Sequence, residues 1–187
     1  AMGPCPSCNE ACLKLTEMAR PHGLPLAFDT NIRIKLLPDP AQAVKLLQPF
    51  LQQAKYVFTG KGDLTYLFGP RDIEEQVSHL RSVAPQAEII LVKLGKHGAT
   101  AYLPDKVFHH HGYQVKVVDE LGAGDAFTAA FLASMLRKDG IEQALRYANA
   151  AGALAVTAKG DLEPLPTWDD LSLFLNNHED TEGQLLR

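Results

Sequence analysis

The stretch Val115–Ala130 reads VKVVDELGAGDAFTAA. A β-branched run ends at Asp119, a glycine loop follows, and a helix is expected to open at Gly122–Gly124. Successive backbone N–H groups at such a helix start form a cradle for an anion, and the helix dipole adds to it. Glycine lets a ligand come close to the backbone. Asp125 falls in the first turn, either as an ordinary helix-terminus charge or as a base held beside a bound phosphoryl group. The loop is not a Walker A loop, because no Gly-Lys-Ser/Thr occurs in the chain. Gly122 and Gly124 fit the dinucleotide pattern G-x-G-x-x-G/A, but Phe127 takes its last position, where a small residue is needed for close packing. A nicotinamide-dependent oxidoreductase therefore has only the strand–glycine–helix order in its favour.

Other residues offer weaker chemistry. The planar fork of Arg33 suits a carboxylate or phosphate in bidentate fashion, or a plain surface ion pair. Asn149 sits among alanines, where a simple interhelix hydrogen bond is the bland role. Cys5, Cys8 and Cys12 are spaced C-x2-C-x3-C, which invites a metal. No fourth cysteine exists, so thiols at a turn and on a first helix are expected. His109-His110-His111 looks like a metal tract, but strand alternation turns His110 away from its neighbours.

The elements that must position these residues alternate along the chain. Helices are expected at Glu10–Arg20, Pro40–Ala54, Asp72–Val83, Gly122–Arg137, Ile141–Ala158 and Trp168–Leu175, from apolar residues at helical spacing. Strands are expected at Leu24–Phe28, Tyr56–Thr59, Glu88–Leu94 and Val115–Val118, with a hairpin of Thr100–Leu103 and Val107–His111 around Pro104-Asp105. The unbroken apolar run Ile89–Val92 suits the middle of a parallel sheet. This order predicts a doubly wound α/β fold, a mostly parallel sheet with helices on both faces. One domain over residues 1–187 is expected, with a polar tail at 179–187 that frays.

The 187 residues suffice for one sizeable core. A net charge of −4 speaks against a general nucleic-acid or polybasic membrane surface. Apolar residues at 46% are those of a globular domain, and no stretch approaches a membrane span of about 20 residues. No basic n-region leads into an apolar block at the start. A cytoplasmic location is the expectation, with no nucleic-acid or membrane partner.

DELGAGDAF at Asp119–Phe127 resembles the D-x-x-G-A-G-D signature of the ribokinase (PfkB) family of sugar kinases. YANAAGALAVTAKGD at Tyr147–Asp161 is similar to the family's small-residue helix beside the adenine and its closing glycine. VKLGKHG at Val92–Gly98 is similar to its nucleotide loop, and FDTNIR at Phe28–Arg33 to its D-x-N-x-R element. The resemblance covers nearly the whole chain and points, within the family, to 2-keto-3-deoxygluconate kinases through FDTNIRIKL, GYQVKVVDELGAGDA and GDLEPLPT.

The resemblance implies a ribokinase-like three-layer fold and ATP-dependent phosphorylation of a sugar acid, 2-keto-3-deoxygluconate, to its 6-phosphate. It implies Asp125 as general base and the N–H groups of Gly122, Ala123 and Gly124 as an anion hole. Asn31, Lys93, Gly95, Gly98, Gly124 and Asn149 would meet the nucleotide, and Arg33, Asp125 and Asp161 the substrate. ATP and Mg2+ are the implied cofactors. K+ would lie at a loop of Asp119 with the carbonyls of Ala155, Ala158 and Gly160.

Three departures stand out. The family's N-x-x-E element, tied to magnesium, falls at Gly60-Lys61-Gly62-Asp63, leaving Asp63 as its stand-in. Glu120 and Leu121 replace the common threonines. The family's N-terminal part, with its lid and many sugar contacts, is not matched, so a missing N-terminal segment or a homo-oligomer is expected to complete the pocket. Other readings are a fructose or ribose kinase and a non-catalytic nucleotide-binding fragment.

Overall fold

The computed structural model describes residues 5–160 and 162–185, with side chains through residue 178. Its seven helices are α1 (Pro6–Ala19), α2 (Pro40–Leu51), α3 (Lys61–Phe68), α4 (Ile73–Val83), α5 (Ala123–Arg137), α6 (Ile141–Ala155) and α7 (Trp168–Leu185). Its strands are β1 (Leu26–Asp29), β2 (Ala54–Gly60), β3 (Ile89–Lys93), β4 (Ala99–Tyr102) and β5 (Val107–His110). They form one sheet in the order β1-β2-β3-β4-β5. By internal packing the chain divides into two compact units. One holds the residues through Leu94 with Ala101–Val107, the other Gly95–Thr100 with Phe108 onward.

In the first unit, β1 pairs parallel with β2, and β2 parallel with β3. Successive residues of the central strands are buried, Val57 to Thr59 and Ile89 to Val92, so both faces of these strands are covered. The core joins Leu47 and Leu51 of α2, Leu64 of α3 and Leu80 of α4 to Val57 and Ile90 of the sheet. Each such side chain contributes roughly 1.5–3 kcal/mol on burial.

Gln76 is 1% exposed within this core. Its Nε2 donates to the carbonyl of Gly69 at 2.7 Å and reaches Thr65 Oγ1 at 3.4 Å. It thereby satisfies the end of α3, whose last carbonyls have no intrahelical partner. Gln76→Leu should cost about 1–3 kcal/mol, the penalty of stranding a buried acceptor. A urea midpoint unchanged by the substitution would show that the Gly69 carbonyl reaches water.

In the second unit α5 packs along α6. Ala126, Ala130, Ala150, Ala151 and Ala155 meet Leu171 and Leu175 of α7. A Cβ placed on Gly152 would touch the carbonyl of Ala123 at 3.4 Å and Phe127 Cβ at 3.7 Å. Phe127 is 5% exposed. The ring that breaks the dinucleotide pattern is therefore a core residue of the α5–α6 contact.

The structure departs from the sequence expectations in several places. No strand forms at Val115–Val118. Val117 and Val118 are exposed, and the segment is tied by Val118 N–H to the carbonyl of Val156 at 2.7 Å. β-branched residues favour a strand only where a neighbour supplies the ladder. Helix α3 is not among the helices expected from the sequence. Burial of Leu64 and Leu67 overrides the poor helix propensity of Gly62. Helix α6 stops at Ala155 rather than Ala158, where the Val156 carbonyl turns out to receive residues 118 and 119. Helix α2 stops at Leu51, and β2 starts at Ala54. Helix α7 continues through the polar stretch expected to fray.

Candidate functional site

The carboxyl ends of parallel strands are where α/β sheets place ligands. In the first unit β1 ends at Asp29 and β3 at Lys93, and Lys93 Nζ lies 2.6 Å from Asp29 Oδ2. Both side chains are about one-fifth exposed, 22% and 19%, so the pair is sheltered yet reachable. Asn31 follows with φ of 35°, a left-handed conformation that asparagine tolerates better than most residues. Its N–H donates to Asp29 Oδ1 at 3.2 Å, and its Oδ1 accepts from Arg33 Nη1 at 2.6 Å. Asp29, Asn31, Arg33 and Lys93 thus form one connected charged chain at the sheet end. The guanidinium of Arg33 is otherwise open, and no carboxylate among the described residues pairs with it.

Asp63, the magnesium candidate, sits in the first turn of α3. Its Oδ2 accepts from Thr30 Oγ1 at 2.5 Å and from Ile32 N–H at 3.4 Å. Thr30 also reaches Thr59 Oγ1 at 3.0 Å. This oxygen of Asp63 therefore fastens the exit of β1 to α3.

In the second unit Gly122 is the N-cap of α5 with φ of 75°. Ala126 N–H makes the first intrahelical bond, to Gly122 O at 2.9 Å. The N–H groups of Ala123, Gly124 and Asp125 precede it, and no side chain caps them. The helix start is thus a set of open donors, with the exposed carboxylate of Asp125 carried in the same turn. Asp119 turns back on its own loop, where its Oδ1 accepts from Leu121 N–H at 3.1 Å. Residues 118 and 119 donate to the carbonyl of Val156. This brings Asp119 beside the segment that carries Ala155 and Ala158. Gly160 has φ of 112°, and a Cβ there would strike Glu163 Oε2 at 2.1 Å. Asp161 lies outside the described residues.

The glycine loop Gly95–Gly98 packs backbone to backbone against residues 110–112. A Cβ on Gly98 would stand 2.0 Å from the carbonyl oxygen of His110, and one on Gly112 2.4 Å from that of Lys96. Asn149 Nδ2 donates to the same His110 carbonyl at 3.1 Å. The amide so engaged holds α6 to the end of β5. His110 also meets Tyr113, whereas His109 and His111 face each other with rings 4.8 Å apart, as strand alternation requires. Burial pushes the imidazoles of His109 and His110 below the ordinary histidine value.

Sequence reasoning left Asp29, Thr30 and Thr59 out of the site. Asp29 was visible as the first residue of D-x-N-x-R, but its pairing with Lys93 joins residues 64 positions apart. No group of three or more His, Cys, Asp or Glu that could hold a metal occurs among the described residues. No helix among the described residues is long and apolar enough to cross a membrane.

Residues 2–168 match the family described as pfkB family carbohydrate kinase. Fructokinase-1 of Oryza sativa subsp. japonica is 33% identical over 167 residues, covering 86% of this chain and 51% of that protein. Among solved structures, aminoimidazole riboside kinase from Salmonella enterica, complexed with aminoimidazole riboside and an ATP analog, superposes with a TM-score of 0.79 at 31% identity. The match covers 88% of this chain and 57% of that one. Fructokinase from Vibrio cholerae O395, bound to fructose, ADP and calcium, gives a TM-score of 0.80 at 28% identity, covering 89% and 55%. The chain spans about half the length of the relatives it matches.

Proposed function

The chain belongs to the pfkB family of carbohydrate kinases, and from that premise we propose that it transfers the γ-phosphoryl group of ATP to a sugar hydroxyl, with Asp125 as general base. The observation that carries the reading is the start of α5. There a left-handed Gly122 opens a turn of uncapped N–H donors, and the same turn carries the carboxylate of Asp125. Phosphoryl transfer asks for little more than positioning and charge neutralisation. The carboxylate of Asp125 takes the hydroxyl proton as the sugar oxygen bonds to the γ-phosphorus. The bond from that phosphorus to the β–γ bridging oxygen breaks, and ADP leaves. The N–H groups of Ala123 and Gly124 face the charge on the transferring oxygens.

The protein's own donors suit a magnesium ion that arrives with the nucleotide. With no three-ligand acidic cluster among the described residues, such an ion would be held through phosphate oxygens and water, as magnesium commonly is. When bound it supplies neutralisation of phosphate charge. Asp29 with Lys93 is a sheltered charged pair at the sheet end that would suit polyphosphate or its hydration shell. Gly95, Gly98 and Asn149 keep their proposed place along the nucleotide, and Asn149 acts there by holding the His110 carbonyl. The loop of Asp119 with the carbonyls of Ala155, Ala158 and Gly160 keeps its proposed K+ role.

The names of the relatives support a neutral sugar of the fructose or ribose kind as acceptor. A second reading, 2-keto-3-deoxygluconate, rests on Arg33, whose guanidinium bonds Asn31 and has no carboxylate partner among the described residues. An ADP-release assay over fructose, ribose and 2-keto-3-deoxygluconate decides between them. If the acid is the substrate, Arg33→Ala should weaken its use by roughly 2–4 kcal/mol while sparing neutral sugars. Equal losses on all sugars would leave Arg33 as a support of Asn31. No ADP release with any sugar would remove the kinase reading.

A further inference from the structure

The first turn of α1 holds chemistry that phosphoryl transfer does not use. The chain there reads Cys5-Pro6-Ser7-Cys8, a C-x-x-C motif at the start of a helix. Cys5 is the N-cap, with extended φ and ψ of −99° and 98°, and Pro6 occupies the first helical position. Cys8 lies three residues on, so its side chain returns over the cap. The two Sγ atoms are 2.8 Å apart. Both residues are exposed, and all three cysteines of the chain are free thiols.

We propose that Cys5 and Cys8 are a reversible dithiol–disulfide pair that exchanges with small-molecule disulfides, Cys5 attacking and Cys8 resolving. The placement gives the two sulfurs different tasks. Cys5 Sγ and Cys8 Sγ share a hydrogen bond, and the Ser7 hydroxyl lies 3.4 Å from Cys5 Sγ. These neighbours draw the Cys5 thiol down to about 7. Holding that bond pushes the Cys8 thiol up. The nucleophilic thiolate is accordingly assigned to Cys5, the N-cap, at the positive end of the helix dipole. Closure requires the sulfurs to move from 2.8 Å to the roughly 2.05 Å of a disulfide.

The exchange balances in two steps, with a low-molecular-weight disulfide as oxidant. The Cys5 thiolate attacks one sulfur of glutathione disulfide, forming a mixed disulfide and releasing one glutathione thiolate. Cys8 gives up its proton to solvent, its sulfur attacks Cys5 Sγ, and a second glutathione thiolate leaves. The two cysteine sulfurs are oxidised, and one glutathione disulfide is reduced to two thiols. Cys12 is one helical turn beyond Cys8 and half-buried, so it takes no part.

The test uses the whole chain, incubated near neutral pH with glutathione disulfide and mapped by peptide mass spectrometry. The expected product has lost two hydrogens in the Cys5–Cys8 peptide, carries no glutathione, and reverts with dithiothreitol. Cys8→Ser should stop the reaction at one glutathione on Cys5, and Cys12→Ser should change nothing. A wild-type product with glutathione retained on both cysteines would overturn the proposal. So would a Cys8–Cys12 bond, a disulfide between two chains only, or a Cys8→Ser chain whose Cys5 reacts no faster than Cys12.

Discussion

Asp125→Asn should lower turnover by about 10²–10⁴, the range for removing a general base, while leaving the fold and ATP binding in place. Asparagine keeps the size of the side chain and still accepts a hydrogen bond, but it cannot take the hydroxyl proton. Asp125 is exposed in the first turn of α5, and its neighbour Ala126 carries the packing against α6 and α7. Melting should therefore barely move. The check pairs a turnover assay with ATP protection against heat, since a ligand that binds the folded state raises its stability. Loss of both would make Asp125 a structural residue. Near-normal turnover would place the base elsewhere.

Gly98→Ala should be among the most destabilising single-methyl changes in the chain. The added Cβ would meet the His110 carbonyl oxygen at 2.0 Å and the Gly112 nitrogen at 2.6 Å, and φ at this position is 90°. The obstacle is backbone on both sides, so no side chain can swing aside. Left-handed strain and forced separation of the two segments together should cost about 3 kcal/mol or more. Gly95→Ala is the control. Its φ is 61°, but nothing lies within 4 Å of the new carbon, so only strain of roughly 1–2 kcal/mol remains. Thermal melting of the two variants separates a packing glycine from one whose freedom serves a ligand. Equal melting points would show that the 110–112 segment yields.

Much of this was legible in the residues. Unbroken apolar runs located β3, and helical spacing located α2, α4, α5 and α6. The order of four short motifs pointed to the family that the comparison of residues 2–168 then matched. What was hidden depended on partners far away in sequence. Val115–Val118 has the composition of a strand, yet Val118 N–H goes to the carbonyl of Val156 at a helix end. Helix α3 overrode its glycines by burying Leu64 and Leu67. Asp63 looked like a metal ligand from its place in a motif. Only the fold shows that one of its oxygens ties Thr30 and Ile32. The pairing of Asp29 with Lys93 was equally unreadable, because parallel register brings the two strand ends together and no local pattern announces it. The acid-sugar expectation rested on resemblance at FDTNIRIKL, GYQVKVVDELGAGDA and GDLEPLPT, whereas the relatives found bear the names of kinases for fructose and aminoimidazole riboside.

The most direct measurement of the central claim is phosphorus NMR of the chain incubated with ATP, Mg2+ and each sugar in turn. A new phosphomonoester signal should appear on one sugar, one for each ADP formed, and should vanish in Asp125→Asn while ATP protection against heat persists. ADP accompanied only by inorganic phosphate, or a phosphomonoester formed equally well by the Asp125→Asn chain, would contradict the account.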